Sequence, residues 1–254
     1  KTKTPTGLVP ISDSQHIPLA HKQHHTASKY IVDVCAGSSS ALRYHLLNDP
    51  NAMVMAIDIL PFEKVICHIP AEHRHRFTYV RVSMADLNMA ALQKIVYDHW
   101  SIPIDKIDHL HWSHPCETYS DAHHGNNFHR IDLTPLTSKA IEHDRMLHTM
   151  TSLLSELAAR NPRILITAEN PEGLWHSMPC IQELSLQPGW QMLTADYCSN
   201  TSDVLGDGVF SKKPTNFLVF GVQPAFSLNR CNTDCPHRIS PDSTYHKLVI
   251  CSNV

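Results

Sequence analysis

The segment His109–Ala122, HLHWSHPCETYSDA, holds the residues best suited to chemistry. A short apolar run, Ile107 to Trp112, ends in Pro115-Cys116 and passes at once into Glu, Thr, Tyr, Ser and Asp. A strand followed by Pro and a single Cys puts a thiol at a strand's carboxyl end, where open α/β sheets bind ligands. A thiol there attacks carbon when nearby donors or cations raise its thiolate fraction. A lone cysteine is more often a small buried apolar residue, and this segment alone favours that plainer reading. The rest of the chain reverses it.

The elements that would position Cys116 follow from apolar runs and their breaks. Lys29–Ala36 reads as a strand closing on Asp33 and on Gly37 with three serines, Ser38 to Ser40. A helix follows in SALRYHLL, where a serine can cap the first turn. Ala52–Ile59 is a second buried-type strand ending at Asp58, about 20 residues on, the spacing at which an acid meets ribose hydroxyls in doubly wound folds. Phe77–Ser83 is a third strand, followed by Ala85-Asp86-Leu87 and a helix to about Trp100; Ile107–Ser113 is the fourth. Asp121–Pro135 is polar and aperiodic, a loop able to act as a lid. Ser138–Arg160 carries Ile141, Leu147, Met150, Leu153, Leu154 and Leu157 at helical spacing, and Asn161-Pro162 stops it.

Arg163–Asn170 is a fifth strand ending on Glu169-Asn170-Pro171. Trp190–Tyr197 and Asn216–Val222 lie too close for a helical crossover and are expected to form an antiparallel pair. Strands alternating with helices predict an α/β fold, a doubly wound, mostly parallel sheet with helices on both faces. Five successive strands then deliver Asp33 with Gly37, Asp58, Asp86, Cys116 and Glu169 to one edge, which packing alone does not explain. After Pro224, Cys231, Cys235, His237 and His246 form a small Cys/His segment with zinc-like spacing.

Composition agrees with one sizeable core: 254 residues, 42% hydrophobic and 18% charged. No apolar run approaches the roughly 20 residues of a membrane span. The opening KTKTPTGLVPISDSQH lacks the apolar stretch of a signal peptide and reads as a flexible lead-in. Eight cysteines without a secretory signal argue for reduced thiols, metal ligands or catalysis in an intracellular reducing compartment, nucleus or cytoplasm. The formal net charge of -3 gives no bulk support for nucleic-acid binding, although a local basic groove would suffice. Most of the 20 histidines are expected on the solvated surface; clustered on one face, they would make its charge respond to pH between about 5 and 7.

The order of motifs resembles the DNA cytosine-5 methyltransferases, and most of all their compact, divergent branch in phages and some microbial eukaryotes. The resemblance runs over residues 29–222 through DVCAGSSS, AIDI, ADL, SHPCETYSDA, AENPEG, and DYC followed by KKPTNFLVFG. It implies a Rossmann-like class I methyltransferase fold, S-adenosylmethionine as cofactor and DNA as partner. Asp58 would then bind the ribose hydroxyls and Asp86 the adenine amino group. The turn Asp33, Cys35, Ala36, Gly37, Ser38, Ser39 would hold the methionine portion, with Ile59, Leu87 and His114 completing the cofactor site. Cys116 on Pro115 would be the nucleophile, Glu169 would stabilise charge developing in the ring, and Asn170 with Pro171 would position that Glu. Ser120, Lys212, Lys213 and Thr215 would meet the nucleic acid. Cys198 of DYC would join Cys231, Cys235 and either His237 or His246 around zinc.

The chain also departs from that family. The cofactor turn keeps only Gly37, His114 stands where a proline is usual, and the Gln-x-Arg-x-Arg segment is replaced by Lys212-Lys213-Pro214-Thr215. Residues 1–28 form the lead-in and 223–254 the tail, too short for a full target-recognition domain, so recognition is expected either to be reduced to the Cys/His segment or to be supplied by a partner protein. The same chemistry on RNA, transfer of a modified alkyl group, and a catalytically silent DNA- or cofactor-binding homologue are the competing readings. A nicotinamide-dependent dehydrogenase is disfavoured by the missing G-x-G-x-x-G.

Overall fold

The computed structural model describes residues 28–37, 40–120, 129–196 and 214–222. Its strands and helices run β1 (Lys29–Val34), α1 (Ser40–Asn48), β2 (Ala52–Asp58), α2 (Phe62–Ile66), β3 (Phe77–Arg81), α3 (Met89–Trp100) and β4 (His109–Ser113). They continue with β5 (Arg130–Ile131), β6 (Thr134–Pro135), α4 (Ser138–Arg160), β7 (Leu165–Pro171), α5 (Pro179–Ser185), β8 (Trp190–Asp196) and β9 (Pro214–Phe220). Seven strands form one sheet in the order β3-β2-β1-β4-β7-β9-β8. The first five are parallel, and β9 lies antiparallel between β7 and β8. This is the class I Rossmann-like methyltransferase topology. The expected antiparallel pair is present, with β9 also paired to β7.

Burial explains why these runs are strands. Every residue of β2 is buried, as a central parallel strand covered on both faces must be. One core joins Val32, Val34, Met55, Leu110, Trp112, Ile166 and Leu218 to the apolar sides of α3, α4 and α5. A second core packs Ile31, Val54 and Ala56 against Leu42 and Leu46 of α1 and Val65 of α2. In α4, Thr137 caps the first turn by accepting the Ala140 N–H at 3.2 Å. At its end, buried Asn161 donates to the Ile107 carbonyl at 2.8 Å, tying the helix to the start of β4. Ile141, expected on the apolar stripe, is 58% exposed; the other five expected positions are buried. The short α2 and α5 have no counterpart in the sequence reading. The stretch expected to be loop up to Pro135 contains the β5–β6 ribbon.

The histidines depart most from expectation. His114, His129 and His143 are buried, and His109 and His111 are half-buried. In β4 the cause is strand alternation: Leu110 and Trp112 enter the main core, so His109, His111 and Ser113 share the opposite face.

Arg76, within the EHRHR stretch, is also not a surface charge. Its guanidinium donates to the carbonyls of Leu46 at 2.7 Å, Asp49 at 2.7 Å and Ala52 at 3.1 Å. It thereby satisfies the orphan carbonyls where α1 ends and β2 begins. Replacing Arg76 with Met should strip a donor from each of these carbonyls, of which Asp49 alone is shown to keep another, the Ala52 N–H, and cost about 3 kcal/mol. Urea denaturation should show this as a lowered midpoint with an unchanged slope.

Candidate functional site

The site is assembled at the carboxyl edge of the parallel strands. After β1 the chain turns through Cys35 and Gly37, both at positive φ (58° and 51°). A side chain at Gly37 would meet nothing within 4 Å, so glycine serves the backbone conformation there and the space above stays open. Cys35 holds the same conformation with a side chain, a strain of roughly 1 kcal/mol, secured by its N–H donating to the Ile57 carbonyl at 2.8 Å. Asp58 braces the turn. One carboxylate oxygen accepts the Gly37 N–H at 2.8 Å and the other the Leu60 N–H at 2.9 Å. Each oxygen keeps a lone pair for a further donor. Asp86 is exposed at the end of the 3-10 turn Met84–Asp86, Leu87 behind it is buried, and Ile59 beyond Asp58 is exposed.

Two more carboxylates complete the edge. Asp33 is buried with its Oδ1 lacking a hydrogen-bond partner, and Oε2 of half-buried Glu169 is in the same position. Burial first, then the negative charges of Asp58 and Glu169, push the Asp33 carboxyl well above the ordinary carboxylate range. The same surroundings raise the Cys35 thiol: burial leads, with Asp58 and Asp33 adding to it. Cys35 is therefore held as a thiol, unsuited to nucleophilic attack. These features fit a cofactor of the S-adenosylmethionine type: spare acceptors on Asp58, exposed Asp86 for an amino group, and orphaned acid oxygens that a cation would satisfy.

Cys116 is exposed on the loop after β4. Its carbonyl accepts the N–H groups of Tyr119 and Ser120, both at 2.9 Å, closing a tight turn. Parallel pairing puts Ser113 opposite Glu169, so the Pro-Cys loop and the Glu-Asn-Pro segment leave the sheet side by side. Three contacts join the two loops. Buried Asn170 donates through Nδ2 to the His114 carbonyl at 2.9 Å. Leu174 N–H donates to the Tyr119 carbonyl at 2.7 Å, and Ser120 bridges Gly173. Glycine is required at 173 because a Cβ would lie 2.2 Å from the Tyr119 oxygen. Asn170, expected to position Glu169, here bonds the loop that carries Cys116.

Beneath that loop lies a charged clamp that the sequence reading missed. Arg130 of β5 has a fully buried side chain and grips Asp144 of α4 at 2.6 and 3.1 Å. It also donates to the Thr118 carbonyl at 2.8 Å and covers the Tyr119 ring at 4.2 Å. The Tyr119 hydroxyl donates to Asp144 at 2.7 Å, and Thr118 meets His143 at 3.0 Å. The only sequence signal was an Arg among polar residues, because its partners come from other elements.

Some expected roles meet a different setting. His114, expected at the cofactor, has its ring packed among Trp112, Tyr119 and His143, both nitrogens buried without partners. Burial, then His143 and Arg130, drive that ring well below the usual histidine range, so it stays neutral. Ser120 and Thr215, expected at nucleic acid, are buried because one bridges Gly173 and the other pairs with Pro171 inside the sheet. Ala36 and Pro115 are half-buried beside the turn and the thiol. Ser38, Ser39, Lys212 and Lys213 lie outside the described residues, as do the expected zinc ligands Cys198, Cys231, Cys235, His237 and His246. No described helix is long and apolar enough to cross a membrane.

No known protein-family model matches the chain, and no curated protein matches it significantly. Among solved structures it is similar to an antibiotic-related methyltransferase, at 11% identity over 79% of this chain and 90% of that one, TM-score 0.45. A 16S rRNA (adenine(1408)-N(1))-methyltransferase from Catenulisporales acidiphilia is similar at 15% identity over 79% and 91% of the two chains, TM-score 0.42. A human methyltransferase 10 domain containing protein follows at 10% identity over 78% and 75%, TM-score 0.43. These are distant structural likenesses to methyltransferases, and the fold assignment rests on the strand order.

Gly173→Ala should force the loops apart at a cost of about 2 kcal/mol; hydrogen exchange should then show the Leu174 amide losing protection. Asp33 binds a proton more tightly folded than unfolded, so it lowers stability as pH rises above the ordinary carboxylate range. Asp33→Asn should accordingly raise the thermal midpoint at pH 8 relative to wild type and leave it little changed at pH 4.

Proposed function

We propose that the chain is an S-adenosylmethionine-dependent methyltransferase acting on carbon 5 of cytosine in DNA, with Cys116 as nucleophile. The observation that carries this reading is the pairing of β4 with β7, which brings the exposed Cys116 loop beside Glu169 at the carboxyl edge of the sheet, where β2 also ends on Asp58. Carbon 5 of cytosine is a poor nucleophile by itself. A Cys116 thiolate that bonds to carbon 6 shifts the ring's double-bond electrons to carbon 5, making it reactive toward an electrophilic methyl group. When bound, S-adenosylmethionine supplies that methyl on a sulfonium.

The remaining work belongs to this chain. Glu169 shares a proton with ring nitrogen 3 and stabilises the charge that develops as Cys116 adds. Asn170, bonded to the His114 carbonyl, keeps thiol and carboxyl in fixed relation. Loss of the carbon 5 proton then restores the double bond and expels the thiolate. A target base in duplex DNA must leave the stack to reach this edge, at a cost of a few kcal/mol. Lys212 and Lys213, just before β9, are the proposed phosphate contacts.

The test is covalent trapping with duplex DNA carrying 5-fluorocytosine in the presence of S-adenosylmethionine. Carbon 5 then bears no removable proton, so the adduct should persist through denaturation with wild type and be absent with Cys116→Ala. Glu169→Gln should lower turnover on ordinary DNA by about 10²-fold. An adduct on RNA and none on DNA would change the substrate. Absence of both adduct and cofactor binding would leave a silent binding module.

A further inference from the structure

A continuous line of polar side chains crosses the sheet beneath this edge. His45 Nε2 of α1 lies 3.3 Å from His109 Nδ1, and His109 Nε2 lies 2.8 Å from Thr167 Oγ1. The same hydroxyl lies 2.8 Å from His111 Nδ1, and His111 Nε2 lies 3.0 Å from Ser113 Oγ. Ser113 is the residue in register with Glu169, so the line ends beside the carboxyl assigned to the reaction. At its other end His45 is half-buried on α1, near the Lys29–Asp49 ion pair.

The chemistry of the line is specific. A neutral imidazole has one donor and one acceptor nitrogen, and a hydroxyl both gives and accepts. Assigning protons to His45 Nε2, His109 Nε2, Thr167 Oγ1 and His111 Nε2 makes every contact a hydrogen bond in one direction. Moving each imidazole proton to the other nitrogen and turning the hydroxyls satisfies every contact in reverse. A chain with two equivalent senses conducts protons; an imidazolium anywhere in it would lack the acceptor. Burial, with His111 and His45 as neighbours, pushes His109 down to about 3, and burial with His45 pushes His111 to about 4. The charged groups facing the line are Lys29 and Asp49 at His45, Asp33 in register with His111, and Glu169 at the Ser113 end. On the other side of Thr167, β9 places apolar Val219 in register with it.

Methyl transfer from a sulfonium to a C–H carbon releases one proton per turnover, and that proton must leave a site closed over its substrate. Resting on the methyl-transfer reading, we infer that Ser113, His111, Thr167, His109 and His45 form the exit path for this proton from Glu169 to solvent. The step balances. The Glu169 carboxyl gives its proton to Ser113 Oγ, directly or through one water, as the Ser113 proton moves to His111 Nε2. The His111 Nδ1 proton moves to Thr167, the Thr167 proton to His109 Nε2, and the His109 Nδ1 proton to His45 Nε2. His45 releases its Nδ1 proton to water. Each ring exchanges tautomer and, with the hydroxyls, has to turn back before the next turnover; no charge stays in the chain, and Glu169, left a carboxylate, recovers the nitrogen 3 proton as Cys116 is expelled.

Thr167→Val cuts the line between two histidines while leaving Cys116, Glu169 and the cofactor residues in place; Thr167→Ser keeps the hydroxyl. Both variants of the full chain should form the 5-fluorocytosine adduct as wild type does, because that adduct needs no proton removed from carbon 5. On ordinary DNA, turnover should fall about ten- to hundredfold with Thr167→Val and recover with Thr167→Ser. His45→Gln at the solvent end should lower turnover by a smaller factor. Wild-type turnover by Thr167→Val with an intact adduct would overturn the path and leave the methyl-transfer reading standing. No adduct from wild type would overturn that reading, and with it the proton the path carries. Nitrogen-15 spectra of the imidazoles at pH 6 test the line without catalysis: neutral rings are expected at His109 and His111, and a charged ring at either overturns the path.

Discussion

The pairing of β4 with β7 is the constraint on which the rest of the site depends. It sets Ser113 opposite Glu169, His111 opposite Thr167 and Leu110 opposite Ile166 in one parallel register. A slip of one residue would exchange the two faces of β7, sending Glu169 into the core and Asn170 out of it. The apolar residues Ile166 and Ala168, both fully buried, forbid that exchange. Hydrophobic burial in the middle of the strands therefore decides which polar group appears at their ends. Asn170 reaches the His114 carbonyl only because it falls on the core-facing side of β7, and Glu169 reaches the edge only because it does not.

That edge concentrates acids, which is electrostatically unfavourable unless something offsets it. Asp58 does so with two backbone N–H donors, one from the turn it braces. Asp33 does so by favouring its neutral form. Both solutions leave acceptor capacity unfilled at this edge. Such an edge suits a ligand that brings positive charge and hydroxyl or amino donors, which is the chemistry of the proposed cofactor. It also explains why a strained residue is tolerated at Cys35: the left-handed turn is what presents the Gly37 N–H to Asp58.

The sheet was legible in the sequence because its strands are near-continuous apolar runs, and each run ends on a residue that apolar packing does not need. Asp33, Asp58, Cys116 and Glu169 could be placed at one edge from that alone. What could not be read is whatever depends on long-range partners. Arg76 looks like one charge among several in EHRHR, and its three acceptors lie 24 to 30 positions away. Arg130 sits in a polar stretch with no periodicity, and its carboxylate partner arrives on the next helix. Most histidines are expected on the surface, and nothing local in the sequence marks His109 and His111 as exceptions. Their setting is fixed by Thr167, 58 and 56 positions distant, which only the β4–β7 register brings between them.

The two cysteines near the edge show how the site divides its labour. The acids that suit the edge to a cationic ligand oppose a thiolate, and half-buried Cys35 is held protonated by desolvation first and by Asp58 and Asp33 second. A nucleophilic thiol has to stand where water screens those charges, and the exposed loop beyond Pro115 meets that condition. Exposure has its own cost, since a surface loop is ordinarily too mobile to hold a reacting atom within a fraction of an ångström. The contacts from Asn170, Gly173 and Leu174 on one side, and from Arg130 with Asp144 on the other, remove that mobility from the loop's backbone while leaving the thiol outside. Burying an arginine beneath the loop is expensive unless its donors are met. Here Asp144 and the carbonyls of Thr118, Leu133 and Ala140 meet them. Breaking any one contact would release part of that loop, so the clamp and the staples act on the thiol's position as a single unit.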